Sequence, residues 1–344
     1  SDVGKSGFQY FHSRGVTPAT IRHFGLGFAP DDWNCLTKHL RSLGFRDDEL
    51  VQFNLSRKSK NGRVYDAFRN RVMFPIIDLQ GNVVAFGGRV LDDSKPKYLN
   101  TSDTVVYKKS RGVFALNFAK NNSTKELILC EGYMDVIALH QAGFTNAVAG
   151  LGTALTEEQA LLLSRYASQI NICYDADEAG RKAAEKAVRI FSRTNVKIKV
   201  LRLTGGKDPD EIIKNSGVEK MRSILSGAMN DTEFRLSQAK EHLDLQVADD
   251  RLSYANEAVK ILATLSNPIE RDLYASKIAN ETGVSKSAVL SQIDRARRYQ
   301  QKKQDQTRFA LIEKQMNAFS KNEFYPPGTP IRVRNAEEHL LASL

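Results

Sequence analysis

Cysteine is scarce in this 344-residue sequence. The three present, Cys35, Cys130 and Cys173, are far apart, with no CxxC pair and no Cys/His cluster. That spacing leaves no disulfide framework and no ligand set for zinc. Two of the three fall inside apolar runs that read as buried strands, so reduced core thiols in a cytoplasmic protein are expected. Long hydrophobic runs are also missing. No stretch approaches the ~20 apolar residues a membrane span requires, and no secretory signal is recognisable. Acidic residues fall short of basic ones, 40 against 50, and the imbalance is local. Residues 1–125 carry 20 Lys and Arg against 11 Asp and Glu, a net +9. Residues 126–217 carry 11 against 12, a net of −1, and residues 218–344 carry 19 against 17, a net of +2. A basic segment ahead of an acidic one suits a polyanionic substrate whose chemistry occurs at a phosphate.

What the sequence does have is a 41% hydrophobic composition, ample for a core and for two or three domains. Its organising stretch runs from Glu126 to Ile213. Three short β-type runs each lead into carboxylates: Leu127–Cys130 into Glu131, Ile170–Tyr174 into Asp175 and Asp177, and Val196–Leu203 into Asp208 and Asp210. Such runs fit strands buried on both faces. Helical-period segments, Met134–Ala142 and Ala179–Arg193, follow the first two, and Ala147–Ala149 adds a further strand. Strand–helix alternation predicts a parallel sheet, whose ligands gather beyond the carboxyl ends of the strands. The acidic residues therefore converge on one edge.

Crowded carboxylates raise one another's pKa, and a hard, oxygen-loving cation relieves that cost. Mg²⁺, or Mn²⁺ in its place, fits such ligands and a phosphate substrate. Two ions could clamp the attacking and leaving oxygens of a phosphoryl transfer. Glu131, ahead of Gly132, could bind metal or assist a proton transfer; the residues leave both open. A lone Asp-x-Asp is more often a turn or helix cap, and Asp208-Pro209-Asp210-Glu211 could simply start a helix. Three such elements in this order are harder to dismiss. Asp135, in the helix after Glu131, could be a supporting carboxylate.

Ahead of this stretch, residues 1–7 are small and polar and are expected to be disordered or foreign to the native chain. Helices are predicted at Phe8–Phe11, at Thr17–Phe24 with Thr17 as cap and Pro18 at the first position, and at Asp31–Leu43. Asp66–Ile77 and Asn82–Leu91 read as strands joined at Gln80-Gly81-Asn82. Within the first, Arg69 and Arg71 would point the same way, and Arg89 adds a third phosphate-gripping group. Lys95, Lys97, Tyr98, Tyr107, Lys108, Lys109 and Arg111 interleave cations with aromatics, as contact with phosphates and bases requires. The Gly150–Thr153 loop before Thr156 could receive a phosphate, but the glutamates in the following first turn oppose it. Residues 219–299 are helix-periodic, and residues 300–306 continue a helix and then fray. Tyr325–Pro330 reads as a linker and Asn335–Leu344 as the start of another amphipathic helix.

The stretches EGYMD, YDADEAGRKAA and KDPDE resemble the topoisomerase–primase (TOPRIM) fold. YFHSRGVTPATIRHFGLGFAP, FRNRVMFPI with the following AFGGR, and PKYLN are similar to bacterial replicative primases of the DnaG type. The resemblance covers about residues 8–300. It implies an α/β fold: a TOPRIM-type parallel sheet flanked by helices, a mixed α+β N-terminal subdomain and a C-terminal helical bundle. The boundaries expected are 8–125, 126–217 and 218–305, with 306–344 a linker and the cut-short start of a helicase-docking domain. It further implies a DNA-directed RNA polymerase making short RNA primers on single-stranded DNA. Glu131, Asp175 and Asp177 would be catalytic and metal-binding, with Asp208 and Asp210 completing the cage or one shell out. Arg14, Lys97, Tyr98, Asn100 and Lys109 would hold the nucleotide. Arg69, Arg71, Arg89, Lys95, Lys108 and Arg111 would contact nucleic acid. Implied partners are the template, ribonucleoside triphosphates, the RNA primer–DNA hybrid, the replicative helicase and guanosine alarmones at the nucleotide site. The chain is expected to be a monomer at the nucleoid, without a membrane contact. No zinc module precedes residue 1 here, so site-specific initiation is not expected of this chain alone.

Overall fold

Capping and turn residues recur every few positions at the start of the chain, and they cut it into short helices. In a computed structural model, which describes residues 2–152 and 154–321, a 3₁₀ turn (Asp2–Gly4) leads into α1 (Lys5–Ser13). The expectation of disorder over residues 1–7 is therefore corrected for residues 2–7. Phe11, 1% exposed, anchors α1 in the core, and the turn ahead of it is folded too. α2 (Pro18–Phe24) begins as predicted, with Thr17 Oγ1 accepting from Thr20 N at 3.2 Å. After β1 (Gly27–Ala29), α3 (Cys35–Ser42) starts later than the sequence suggested. The cause lies 30 residues away: the buried Asp66 carboxylate accepts from Leu36 N and Thr37 N, fixing the helix start there. α4 (Asp47–Gln52), β2 (Ser56–Lys58) and β3 (Val64–Asp66) follow.

The strand expected over Asp66–Ile77 is broken. Asn70 sits at φ 48°, so β4 (Arg71–Ile77) begins after it and Arg69 lies outside any strand. β5 (Val83–Val90) and β6 (Tyr98–Asn100) complete an antiparallel sheet in the order β1-β4-β5-β6. α5 (Leu116–Ala119) ends this part.

The middle segment folds as its strand–helix alternation requires: β7 (Glu126–Cys130), α6 (Tyr133–Gln141), β8 (Ala147–Ala149), α7 (Glu157–Ser164), β9 (Gln169–Cys173), α8 (Glu178–Phe191), β10 (Lys197–Val200) and α9 (Pro209–Ser226). The sheet order is β11-β10-β9-β7-β8, parallel except for β11 (Met229–Asn230) at the edge. Alternate residues of β7 face opposite ways. Ile128 and Cys130 join Val136 and Ile137 of α6 and Ile212 and Met221 of α9. Leu127 and Leu129 join Leu163 of α7 and Phe191 of α8. The first of these cores also holds Phe11, Phe24 and Phe74, so the basic and acidic parts share one core.

The chain divides into two compact units, Ser1–Arg235 and a second starting at Leu236. α10 (Asp231–Lys240) spans that boundary. In the second unit, α11 (Ala248–Ala263), α12 (Pro268–Thr282) and α13 (Lys286–Lys321) enclose Tyr254, Leu262, Ile278 and Ile293. α13 runs on through residues expected to fray, because nothing from 286 to 321 is Gly or Pro. The linker expected at Tyr325–Pro330 and the helix expected at Asn335–Leu344 lie outside the described residues. Among the described residues no helix is long and apolar enough to cross a membrane.

Candidate metal centre and nucleotide cleft

The parallel strands stop where their buried aliphatic residues stop, and carboxylates take over. Cys130 and Cys173 stand opposite each other in register at the ends of β7 and β9. Glu131 and Asp175 therefore leave the sheet side by side, and Asp175 N donates to Glu131 Oε1 at 3.0 Å. Asp177 caps α8, accepting from Gly180 N at 2.7 Å. Asp208 caps α9, accepting from Glu211 N at 2.7 Å, with Pro209 at the first helical position. The helix-start reading is thus correct for both residues. It does not conflict with a metal role, since each cap uses one oxygen of its carboxylate. The two loops are tied together by Ala176 N donating to Lys207 O at 2.8 Å. Gly180 admits this geometry: a Cβ there would lie 2.2 Å from the Asp175 carbonyl oxygen.

Electrostatics record the crowding. Asp175 is pushed up to about 6, first by burial and then by the charges of Glu131, Asp208 and Asp177. Glu131 is raised by burial and by Asp177, against the bond from the Asp175 amide. Asp135, 8% exposed, is held far above the carboxylate range by burial and by Asp208, Asp175 and Asp210. Its Oδ2 accepts from Gly132 N, fixing the turn after Glu131. Among the described residues, no three of these side chains stand close enough to ligate one ion as they are. The donor set nevertheless fits a divalent oxygen-loving ion, because such an ion removes the repulsion that raises Asp175. Of the three cysteines, Cys35 is exposed, and Cys130 and Cys173 are buried at the ends of their strands.

Cationic side chains border this edge, though not all those predicted. Arg14 pairs with Asp210, which is 8% exposed, so it reaches the acidic loop itself. Arg89 lies between two rings, 5.0 Å from the Tyr10 centroid and 5.7 Å from that of Tyr98. It lines a cleft of about 380 Å³ with Tyr10, Asp92, Lys95 and Lys97. Tyr98 lies within electrostatic reach of Arg89, Asp135, Arg14 and Asp210. Asn100 is engaged inside the protein, donating from Nδ2 to Leu151 O at 3.1 Å. Lys109 is anchored by its backbone: its N–H donates to Asp103, and its carbonyl accepts from Gln159 Nε2. Lys108 pairs with Asp103, and with Arg111 it borders a separate groove of about 400 Å³ lined by Ile77, Leu79 and Leu116.

One arginine assignment changes, and so does the direction expected of another. Arg71 is 7% exposed, and its guanidinium donates to the carbonyls of Gly88, Pro96 and Lys97. It fastens the connection that carries Lys97 and does not face solvent, which corrects its assignment to nucleic-acid contact. Nor do Arg69 and Arg71 share a direction. Arg69 lies 4.0 Å over the Trp33 ring and 5.2 Å from the Tyr65 centroid. Trp33, 58% exposed, was missed from the sequence. Its signal was available: it is the only tryptophan, in a polar Asp-Asp-Trp-Asn segment. Gln159, fully buried and clasping the Lys109–Gly112 loop, gave no such signal.

Residues 1–120 match the family model of the DNA primase catalytic core, N-terminal domain. Residues 128–213 match a Toprim-like model, and residues 232–287 match the DnaB-helicase binding domain of primase. The last match lies well before the 306–344 region where helicase docking was expected. DNA primase of Clostridium acetobutylicum is 43% identical over 293 residues, covering 85% of this chain and 49% of that protein. DNA primase of Halalkalibacterium halodurans is 35% identical over 354 residues, covering 100% of this chain and 58% of that protein. The chain thus spans about half the length of the curated relatives it matches. The RNA polymerase domain of Mycobacterium tuberculosis primase, solved with double-stranded DNA, is 34% identical with a TM-score of 0.74, over 83% of this chain and 93% of that one. A DnaG catalytic domain bound to single-stranded DNA is 33% identical with a TM-score of 0.70, over 84% and 92%. The basic cleft lies within the match at 1–120 and the carboxylates within that at 128–213, and the chain belongs to the family of bacterial DnaG-type DNA primases, in the part that forms their catalytic core.

Proposed function

We propose that this chain performs DNA-templated RNA synthesis, joining ribonucleotides into short primers for replication. The 3′-hydroxyl of one nucleotide attacks the α-phosphate of the next triphosphate, and pyrophosphate leaves. The observation that carries this reading is the Asp175 carboxyl, raised to about 6 among Glu131, Asp208 and Asp177 at the carboxyl edge of a parallel sheet. Glu131, Asp175 and Asp177 would hold Mg²⁺ or Mn²⁺, with Asp208 and Asp210 alongside. Such an ion, when bound, supplies positive charge at the reacting phosphate. Arg14, Lys97 and Lys109 neutralise the triphosphate, and Tyr98 offers a ring face to sugar or base. Arg89, Lys95 and the Arg69–Trp33 stack suit a single strand, whose bases stack on aromatic faces. Lys108 and Arg111 extend this basic border. The structures of relatives with single-stranded and double-stranded DNA support template and hybrid binding here. The match at 232–287 supports docking on the replicative helicase. Guanosine alarmones carry the same base and extra phosphates, so the nucleotide site suits them. A monomer in the cytoplasm, at the nucleoid, accords with these partners.

The rival classes are a nuclease or topoisomerase on the same acidic sheet, and a binding module with vestigial carboxylates. One assay separates them: the chain is incubated with single-stranded DNA, labelled ribonucleotides and Mg²⁺ or Mn²⁺. New RNA is the expected product. Shortened DNA would indicate cutting, and retention without product would indicate a binding module.

A further inference from the structure

Tyr133 follows Glu131 by two residues, yet it is only 4% exposed and cannot touch a substrate. Its ring is wedged between the two sheets. It stacks on Phe74 of β4 at 4.8 Å with an 11° interplanar angle, and meets Phe114 edge-on at 4.8 Å. Its hydroxyl donates to Asn100 Oδ1 at 2.8 Å. Asn100 in turn donates from Nδ2 to Leu151 O at 3.1 Å. An asparagine amide bonded at both ends cannot flip: its oxygen and nitrogen are assigned by their partners. Two glycines make room for the pair. A Cβ on Gly87, the register partner of Asn100, would lie 2.6 Å from the Tyr133 hydroxyl. A Cβ on Gly152 would lie 2.7 Å from Asn100 Nδ2.

We propose that Tyr133 is a positioning residue for nucleotide binding, a latch whose hydroxyl fixes the Asn100 amide so that the Lys97–Asn100 segment and the Glu131 turn keep one spacing. The nucleotide would then meet Lys97, Tyr98 and the remaining N–H of Asn100 at a set distance from the carboxylates. This rests on the polymerase reading above. The hydrogen bond of Tyr133 was not visible in the sequence, because the two partners are 33 residues apart.

The test is Tyr133→Phe, which keeps the ring stack and removes only the hydroxyl. In selectively ¹⁵N-labelled protein, the Asn100 side-chain amide should give two resolved protons, of which the one donated to Leu151 O exchanges slowly. In Tyr133→Phe the amide is freed to rotate and exchange of that proton should quicken by about fivefold, the worth of the lost hydrogen bond. In RNA synthesis the nucleotide KM should rise by a similar factor, with kcat within about twofold and DNA retention unchanged. Asn100→Ala should raise KM as well, and the double variant should be no worse than Asn100→Ala alone. Unchanged Asn100 exchange, additive KM effects, or a fall in kcat and thermal midpoint with KM unmoved would each overturn the latch. If the wild-type chain made no RNA, the polymerase reading would fail instead, and the amide exchange would still decide the latch.

Discussion

Strand ends in the parallel sheet carry Glu131, Asp175 and Asp177, whereas the antiparallel sheet and its connections carry Arg71, Arg89 and Tyr98. In the parallel sheet the charges are alike and close, and the fold holds them there against repulsion. In the antiparallel sheet the two arginines lie against neutral groups of the protein: carbonyls for Arg71, two tyrosine rings for Arg89. The acidic edge is therefore under electrostatic strain that a bound cation relieves, while on the basic side Arg71 is already engaged by carbonyls and serves the fold. Removing a charge should have opposite consequences on the two sides.

The sharpest break of the comparison is Asp175→Asn. Nucleotide incorporation should fall by at least about 10²-fold while DNA retention is kept. In chelator, the variant should be more stable than wild type by roughly 1–2 kcal/mol, after allowing for solvent screening. Denaturant titration checks this, and equal loss of synthesis and retention would mark Asp175 as structural. On the basic side, Arg71→Ala should do the reverse. It removes the donor from the buried Gly88 carbonyl and the part-buried Pro96 carbonyl and should cost about 1–3 kcal/mol. Gly180→Ala should destabilise by about 2–3 kcal/mol, through overlap with the Asp175 peptide, and should disable synthesis along with it. Arg89→Ala should leave the thermal midpoint nearly unmoved and weaken single-stranded DNA binding, reducing its salt slope by about one. The smallest effect concerns His140, whose pKa is lowered by burial while its Nε2 bonds Ala147 O at 2.9 Å. His23 is the facing titratable group. The unfolded chain takes up a proton first, so stability should be full above about pH 6.5 and decline below it. Replacing His140 by Asn should flatten that decline in urea midpoints measured across pH.

The same contrast explains what could be read from the sequence. The acidic edge was legible because a run such as Leu127–Cys130 fits a strand buried on both faces, and strand–helix alternation puts the residue after it at the sheet's carboxyl edge. Asp177 and Asp208 were legible twice, as helix caps and as carboxylates at that edge. The basic side was not legible in this way. Whether an arginine faces solvent depends on partners far along the chain. Arg71 is consumed by carbonyls at 88, 96 and 97, and Arg69 is turned away by Asn70 and drawn onto Trp33. Strand alternation cannot see either contact. The start of α3, set by Asp66, and the Tyr133–Asn100 bond failed to show for the same reason. α13 outran its expected end because polar residues without Gly or Pro do not stop a helix.

The most direct test of the central claim is anomalous diffraction from crystals of the chain soaked in Mn²⁺. An ion within about 2.2 Å of carboxylate oxygens from Glu131, Asp175 or Asp177 is predicted. A fully soaked crystal with no ion bonded to any of the three would contradict the account.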